Sequence, residues 1–322
     1  MAPAESNPPD LTAIIPTHNA PPERLRRVLA ALQAQEGGCL RQILVVDNAS
    51  EPPVALPAES GPVPVELLLE PQLGSTQARL RGIAAAASPA LVCVDDDNVL
   101  APDYCRAAAA FLAAYPEVGA VGGAIQPEFP FPPPPWMLAR VDALACRAGG
   151  GTVRISQWHR PPQRREYPWF APYGAGLVLR SEHARRYAAW LRGAEHAFAG
   201  RVGDQLTGCE DCEMLVRGVF AGGGEVAYSP ELALTHVISP GRMNFGYFSK
   251  LLYAGARSWA KFRVEYGWES PIATSGWLGR VLLGLCRHRV WTASGYLDWR
   301  KAAGYARGRA ESRRGPAASP NA

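Results

Sequence analysis

The sequence predicts an α/β fold: a mainly parallel sheet flanked by helices, with a C-terminal helical extension. Three observations predict it. Short β-branched apolar runs alternate with single amphipathic segments from Leu11 to Tyr115. Three of those runs end in polar residues, at Thr17-His18-Asn19, Asp47-Asn48 and Asp95-Asp96-Asp97. The chain has 322 residues, 48% hydrophobic and 19% charged, enough for a sizeable core in one large domain or two small ones.

Taken in order, LTAIIPT (11–17) reads as a buried strand, and ERLRRVLAALQAQ (23–35) places apolar residues at helical spacing. QILVVDNAS (42–50) is a second strand with a polar end, and VELLLEP (65–71) is a third. The helix STQARLRGIAAAA (75–87) leads to a fourth strand, ALVCVDDDN, and PDYCRAAAAFLAAY (102–115) is a helix with proline near its start. Strands that alternate with single helices pair in parallel, and such a sheet takes its ligands beyond the carboxyl ends of its strands. The three polar strand ends therefore gather at one edge as a candidate site.

Beyond residue 125 the pattern changes. QPEFPFPPPPWM is a stiff proline-rich connector, and RISQWHRPPQRREYPWF (154–170), rich in arginine and aromatics, reads as a loop or lid. YGAGLVLR (173–180) returns to strand character, with two glycines where a backbone must come close to something. GCEDCEMLVRGVFAGG (208–223) opens a helix with acids in its first turn, GEVAYSPELALTHV (224–237) is strand-like, and the remainder is helical. The expected division is 1–125 and 126–245 as the two halves of one domain, 246–303 as a helical extension, and 304–322 as a basic disordered tail.

The net charge of +4, with arginines scattered along the chain, gives no nucleic-acid footprint. Seven cysteines, an odd number at irregular spacing, point to a reducing compartment rather than a disulfide framework. The N-terminal residues show no secretory pattern, and no stretch approaches the roughly 18–20 apolar residues that span a bilayer. The expectation is a cytoplasmic protein. WLGRVLLGLCRHRVW (277–291) mixes apolar bulk, tryptophan and arginine at helical spacing. Two readings stand for it: peripheral membrane contact or, with more weight, a helix packed on the domain with its arginines outward.

Asp95, Asp96 and Asp97 follow directly on a buried apolar run. Burying three carboxylates together is prohibitive unless positive charge meets them. At a strand tip they offer hard oxygens to Mg²⁺ or Mn²⁺, ions that also take phosphate oxygens. The plainer alternative, a capping turn, needs fewer acids. Glu210 and Asp211, with Glu213 nearby, fit a general base or simple complement to a helix dipole, and spacing favours neither. Acids inside the Cys209–Cys212 pair would raise a thiolate pKa, and no second pair stands at zinc spacing, so redox and zinc readings are disfavoured. Arg79 and Arg242 are candidate phosphate partners, and His236 gains interest only if the fold returns it to the acid triplet.

Six stretches now stand in order: AIIPTHNAP, LVVDNAS, GSTQARLRGIAAA before LVCVDDDN, then YGAGLVLR, GCEDCEML and THVISPGRMNF. In these the chain resembles the family 2 glycosyltransferases of the GT-A fold, over roughly residues 11–260. The resemblance implies a Rossmann-like GT-A sheet and an inverting, metal-dependent transfer from a nucleoside diphosphate sugar, most commonly UDP-linked. The acceptor would be a hydroxyl of a glycan, a lipid-linked sugar or a small molecule. It implies that Pro16, Thr17 and Asn19 line the nucleotide pocket, that Asp47 contacts the base, and that Arg79 and Arg242 approach the diphosphate. Asp95, with Asp96 beside it, would lie nearer the ribose, while Asp97 and His236 would hold Mn²⁺ or Mg²⁺. Asp211 would be the general base, with Glu210 beside it, and Gly174, Ala175 and Gly176 would border the acceptor.

Trp158 and Trp169 read as acceptor contacts and Trp136 as packing. Two departures from the family pattern matter. The Q-x-x-R-W helix of processive synthases is absent, which implies a non-processive enzyme, and the usual A-R-N-x-G is ARLRG here, with Leu80 in place of a polar residue. The alternatives are a nucleotidyltransferase, which would carry a Gly-rich basic loop after the first strand, and a non-catalytic nucleotide-sugar-binding protein.

Overall fold

Leu11, Ala13, Ile14 and Ile15 are all fully buried on one strand, β1 (Leu11–Thr17), as expected of a strand covered on both faces. The protein is described here by a computed structural model covering residues 7–56, 61–148, 150–160, 166–193, 198, 200–202 and 205–312. After β1 come α1 (Pro22–Gln33), β2 (Leu40–Asp47), β3 (Val65–Leu69), α2 (Ser75–Ala85), β4 (Ala90–Cys93), β5 (Asn98–Leu100) and α3 (Tyr104–Ala114). The second half adds β6 (Val118–Glu128), α4 (Pro135–Leu138), β7 (Arg154–Ile155), β8 (Leu177–Arg180), α5 (Ser181–Leu191), α6 (Glu210–Met214) and β9 (Glu225–Val237). Three helices follow: α7 (Phe245–Glu265), α8 (Thr274–Arg287) and α9 (Ala293–Glu311).

The chain divides into two compact units. The first comprises Met1–Glu128, Ala145–Glu195 and Asp211–Val237, and the second Phe129–Leu144, His196–Glu210 and Ile238–Ala322. The first unit holds a nine-stranded sheet in the order β3-β2-β1-β4-β8-β6-β9-β5, with β7 also on β9. β3, β2, β1 and β4 run parallel, as the alternating sequence predicts. β8 is antiparallel to both β4 and β6, and β5 and β7 are antiparallel to β9, so the full sheet is mixed.

The helices cover this sheet with stripes of apolar residues. On α1 the stripe is Leu25, Val28, Leu29 and Leu32, and Pro22 sits in the first turn, where its missing N–H costs nothing. α3 is buried nearly all round by alanines that let it lie close. Three strands were not expected: β5, β7 at the start of the segment read as a loop, and β6, VGAVGGAIQPE, whose glycines and alanines have low strand propensity, yet it is buried from Val118 to Ile125 between β8 and β9. The expected helix at 208–223 is three short pieces, with α6 passing into a π-turn at Leu215–Val219 and a 3₁₀ turn at Phe220–Gly222.

In the second unit α7 packs on α9, and Trp136 of α4 lies edge-on to Phe245 and Phe248, with ring centroids 5.2 and 5.4 Å away. α9 is helical through Glu311, so the segment from residue 304 that read as a tail is helix as far as that residue. Residues 313–322 of that segment, and 161–165 of the arginine-rich loop, lie outside the described residues. No described helix is long and apolar enough to cross a membrane.

Glu311 fastens the end of α9 to α7. Its carboxylate accepts from Arg257 at 2.6 Å, from Lys261 at 2.9 Å and from Arg307 of its own helix at 2.5 Å. Burial alone would raise this carboxyl, but the hydrogen bonds from Lys261, Arg257 and Arg307 outweigh it and hold the group at about 2 rather than 4.5. A depressed carboxyl contributes stability that is present above its unfolded value and lost as pH falls through the folded one. Glu311→Gln should therefore lower the thermal midpoint by a few degrees at pH 7. That deficit should shrink between about pH 4.5 and about pH 2, as thermal melts across that range would show.

Candidate functional site

Each of the three consecutive acids meets a different positive or protonatable partner. Asp95 pairs with Arg79 of α2 at 3.0 Å, and Asp96 pairs with Arg24 of α1 at 2.9 Å while accepting from the Thr17 hydroxyl at 2.8 Å. Asp97 Oδ2 lies 3.4 Å from His236 Nε2, both side chains being buried. His236 is brought there by register: it pairs with Asn98 across β5 and β9, and the Val237 N–H donates to the Asp97 carbonyl at 2.8 Å. Burial pushes the Asp96 carboxyl up to about 6, with the Asp97 and Asp95 charges adding to it and Arg24 and the Thr17 hydroxyl opposing.

The ends of β1, β2 and β3 are stitched into one rim beside it. Asn19, at φ 52°, donates its backbone N–H to Ser50 Oγ at 3.0 Å and accepts from the Glu51 N–H at 2.8 Å. Asn48 donates its amide to the carbonyls of Glu70 and Gln72 at 3.0 and 2.8 Å, and accepts from the Gly74 N–H at 2.7 Å, just before α2. Asp47, expected against a base, is buried and spends its carboxylate on its own loop, accepting from the N–H groups of Ser50 and Val54 at 3.0 Å each.

The second half reaches the same edge because β8 runs antiparallel to β4. A segment that precedes β8 is thereby placed beside a segment that follows β4, and the Gly176 N–H donates to the Cys93 carbonyl at 2.9 Å. Gly176 has φ +72°, and a Cβ there would stand 2.4 Å from Leu234 Cδ2 and 2.6 Å from the Tyr104 hydroxyl. A Cβ on Gly174 would stand 2.9 Å from Arg79 Nη2, so this backbone lies against the guanidinium that holds Asp95. The Gly174 N–H in turn donates to Asp211 Oδ2 at 3.0 Å, and the Cys212 N–H donates to Oδ1 at 2.8 Å. Asp95, Arg79, Gly174 and Asp211 thus form one continuous row, with Ala175 buried behind it.

Asp97 and His236 could hold a divalent cation. They supply one carboxylate oxygen and one imidazole nitrogen, and among the described residues no group of three or more His, Cys, Asp or Glu gathers around a point. That donor set suits an ion that completes its shell with phosphate oxygens and water, not a caged structural ion. The other ring nitrogen of His236, Nδ1, lies 3.7 Å from Cys146 Sγ.

Other expected residues sit differently. Trp158 is only 4% exposed and stacks on Phe220 with centroids 4.0 Å apart and planes 6° apart, so its ring face is used in packing and is not open to an acceptor. Glu225 fixes this turn by accepting from the Ser156 hydroxyl and from the N–H groups of Trp158 and His159. Trp169 is 70% exposed, with the Arg154 guanidinium 5.0 Å from its centroid. Pro16 is half-buried within β1. Glu210 and Arg242 belong to the second unit, at the start of α6 and in the 3₁₀ turn Pro240–Met243.

Sequence reasoning missed Arg24 and Cys146. Arg24 carried a signal: it lies four residues before Val28, on the margin of the buried stripe of α1, whereas Arg26 and Arg27 are exposed. Gly176→Ala should cost about 1–3 kcal/mol of stability in a urea titration, because it combines a left-handed backbone with an overfilled site.

Residues 12–172, half of the chain, match the family model described as glycosyl transferase family 2, and no curated protein matches the chain. The matched span contains the rim, Arg79 and the acid triplet, and it ends just before Gly174. The chain belongs to glycosyltransferase family 2, a transferase that uses nucleotide sugars and passes the sugar to an acceptor.

Proposed function

We propose that the chain is an inverting, divalent-cation-dependent and non-processive hexosyltransferase. It would move one sugar from a nucleoside diphosphate sugar, UDP-linked in the first instance, to an acceptor hydroxyl in glycan or glycoconjugate synthesis. The observation that carries this reading is the row Asp95–Arg79–Gly174–Asp211: Arg79 pairs with Asp95 at 3.0 Å, the Gly174 N–H donates to Asp211 at 3.0 Å, and Arg79 leaves no room for a side chain on Gly174.

Pro16, Thr17 and Asn19 line the nucleotide, with Asp95 toward the ribose and Asp96 holding Thr17 in place. Asp97 and His236 would hold Mn²⁺ or Mg²⁺. That ion, when bound, neutralises charge that grows on the departing diphosphate. Arg79 adds fixed positive charge for the same phosphates. Asp211 takes the proton from the acceptor hydroxyl, which attacks the anomeric carbon on the face opposite the diphosphate. Two backbone N–H groups already fix the Asp211 carboxylate, and each oxygen keeps a further lone pair for this proton. Glu210 stands beside it in sequence. The Gly174–Gly176 backbone borders the acceptor, and the exposed ring of Trp169 offers a surface for a sugar face. The irregular cysteine pattern supports a cytoplasmic site of action.

Asp211→Asn should lower turnover by about 10²–10⁴ and leave nucleotide affinity unchanged, measured by nucleoside diphosphate release and by calorimetry. Equal turnover in the variant would remove Asp211 from the chemistry. Release of pyrophosphate from a nucleoside triphosphate, in place of nucleoside diphosphate from a sugar donor, would replace glycosyl transfer with nucleotidyl transfer.

A further inference from the structure

The second unit carries an exposed apolar surface outside the residues assigned to the candidate site. α8 turns one side to α9: the Trp299 indole N–H donates to the Val281 carbonyl at 3.0 Å, and the Arg307 guanidinium lies 4.8 Å from the Trp277 ring centroid. Its other side leaves Leu282 63% and Leu283 74% exposed, and Trp291, in the turn that follows, is 76% exposed. Exposed large apolar residues scattered singly are ordinary on a protein surface. Here three fall within residues 282–291, and Arg280, Arg287 and Arg289 beside them are exposed as well.

The charge around this patch is of one sign. From Ser270 to Leu297 the chain has three arginines, one histidine and no Asp or Glu. The two acids that bound this segment are engaged elsewhere. Glu269 is taken by Arg309 at 3.2 Å and by the Tyr305 hydroxyl at 2.9 Å, and Asp298 by Arg140 at 2.7 Å. On α8 itself, Arg280 and Arg287 stand three residues before and four after Leu283, so cation and leucine share one face.

We propose that this face seats the protein on an anionic lipid bilayer. Leu282, Leu283 and Trp291 enter the boundary between headgroups and acyl chains, while Arg280, Arg287 and Arg289 meet the lipid phosphates. α8 has 14 residues, about 21 Å at 1.5 Å per residue, so it lies along the surface and does not cross a core of about 30 Å. Charge selects this occupant over a second copy of the chain. A two-fold pairing of such faces would set arginine against arginine, with no acid in the segment to relieve it. The inference is independent of which sugar, nucleotide or acceptor the first unit handles.

Vesicle flotation of the full chain tests it, with vesicles of phosphatidylcholine alone and of phosphatidylcholine and phosphatidylglycerol in equal parts. The wild type should float with the anionic vesicles, should not float with the neutral ones, and should be released as salt rises. Leu282→Ser/Leu283→Ser/Trp291→Ser and Arg280→Glu/Arg287→Glu should each weaken partitioning about tenfold or more, with unchanged circular dichroism and thermal midpoint. Three results would overturn the proposal: no flotation of the wild type, flotation of both variants at the wild-type level, or a wild-type dimer that the Leu/Trp variant splits into monomers.

Discussion

Three ionisable acids in a row at the end of a buried strand are the constraint that the rest of the first unit accommodates. Burial together with like charge displaces Asp96 from 3.8 to about 6, which corresponds to about 3 kcal/mol against its charged form. The fold distributes the cost by sending each carboxylate to a separate partner on a separate element: Arg79 on α2, Arg24 on α1, His236 on β9. Two of those partners are arginines and the third is a histidine, and Asp97 Oδ1 also accepts from the Asn98 side-chain amide at 3.1 Å.

This distribution also explains the mixed sheet. Parallel strands alone would bring Thr17, Asp47 and the triplet to one edge and leave the second half elsewhere. Reversing β8 lays the Gly174–Gly176 backbone along the end of β4, and running β9 antiparallel to β5 returns His236 to Asp97. The glycines follow from the same demand, since neither the Arg79 guanidinium nor the Tyr104 hydroxyl leaves room for a side chain. Strand direction, glycine placement and charge balance are thus one arrangement seen at three levels.

Much of this was legible in the residues and some was not. β1, α1, α2 and α3 carried strong periodicity, and their observed bounds lie close to the expected ones. β6 carried none, because glycine and alanine say little about strands until a neighbour buries them. The triplet announced itself by the cost of clustered charge, but its partners are set by tertiary contact. Arg24 was one arginine among several, and Cys146 one cysteine among seven, until the fold placed them. Trp158 shows the reverse error: an aromatic in an arginine-rich loop suggested a sugar contact, whereas Glu225 pins that turn inward and the ring stacks on Phe220. Composition cannot distinguish a ring that faces solvent from one drawn into the core.

The proposal at the centre of this account is that Asp97 and His236 hold a divalent cation that brings a nucleoside diphosphate with it. Calorimetric titration with UDP, GDP, dTDP and CDP, each with and without Mn²⁺, for the wild type and for Asp97→Ala, tests this most directly. The account predicts that one nucleotide binds the wild type tightly only when Mn²⁺ is present, and that Asp97→Ala abolishes the metal dependence together with most of the affinity. Nucleotide binding that ignores Mn²⁺, or that survives unchanged in Asp97→Ala, would contradict it.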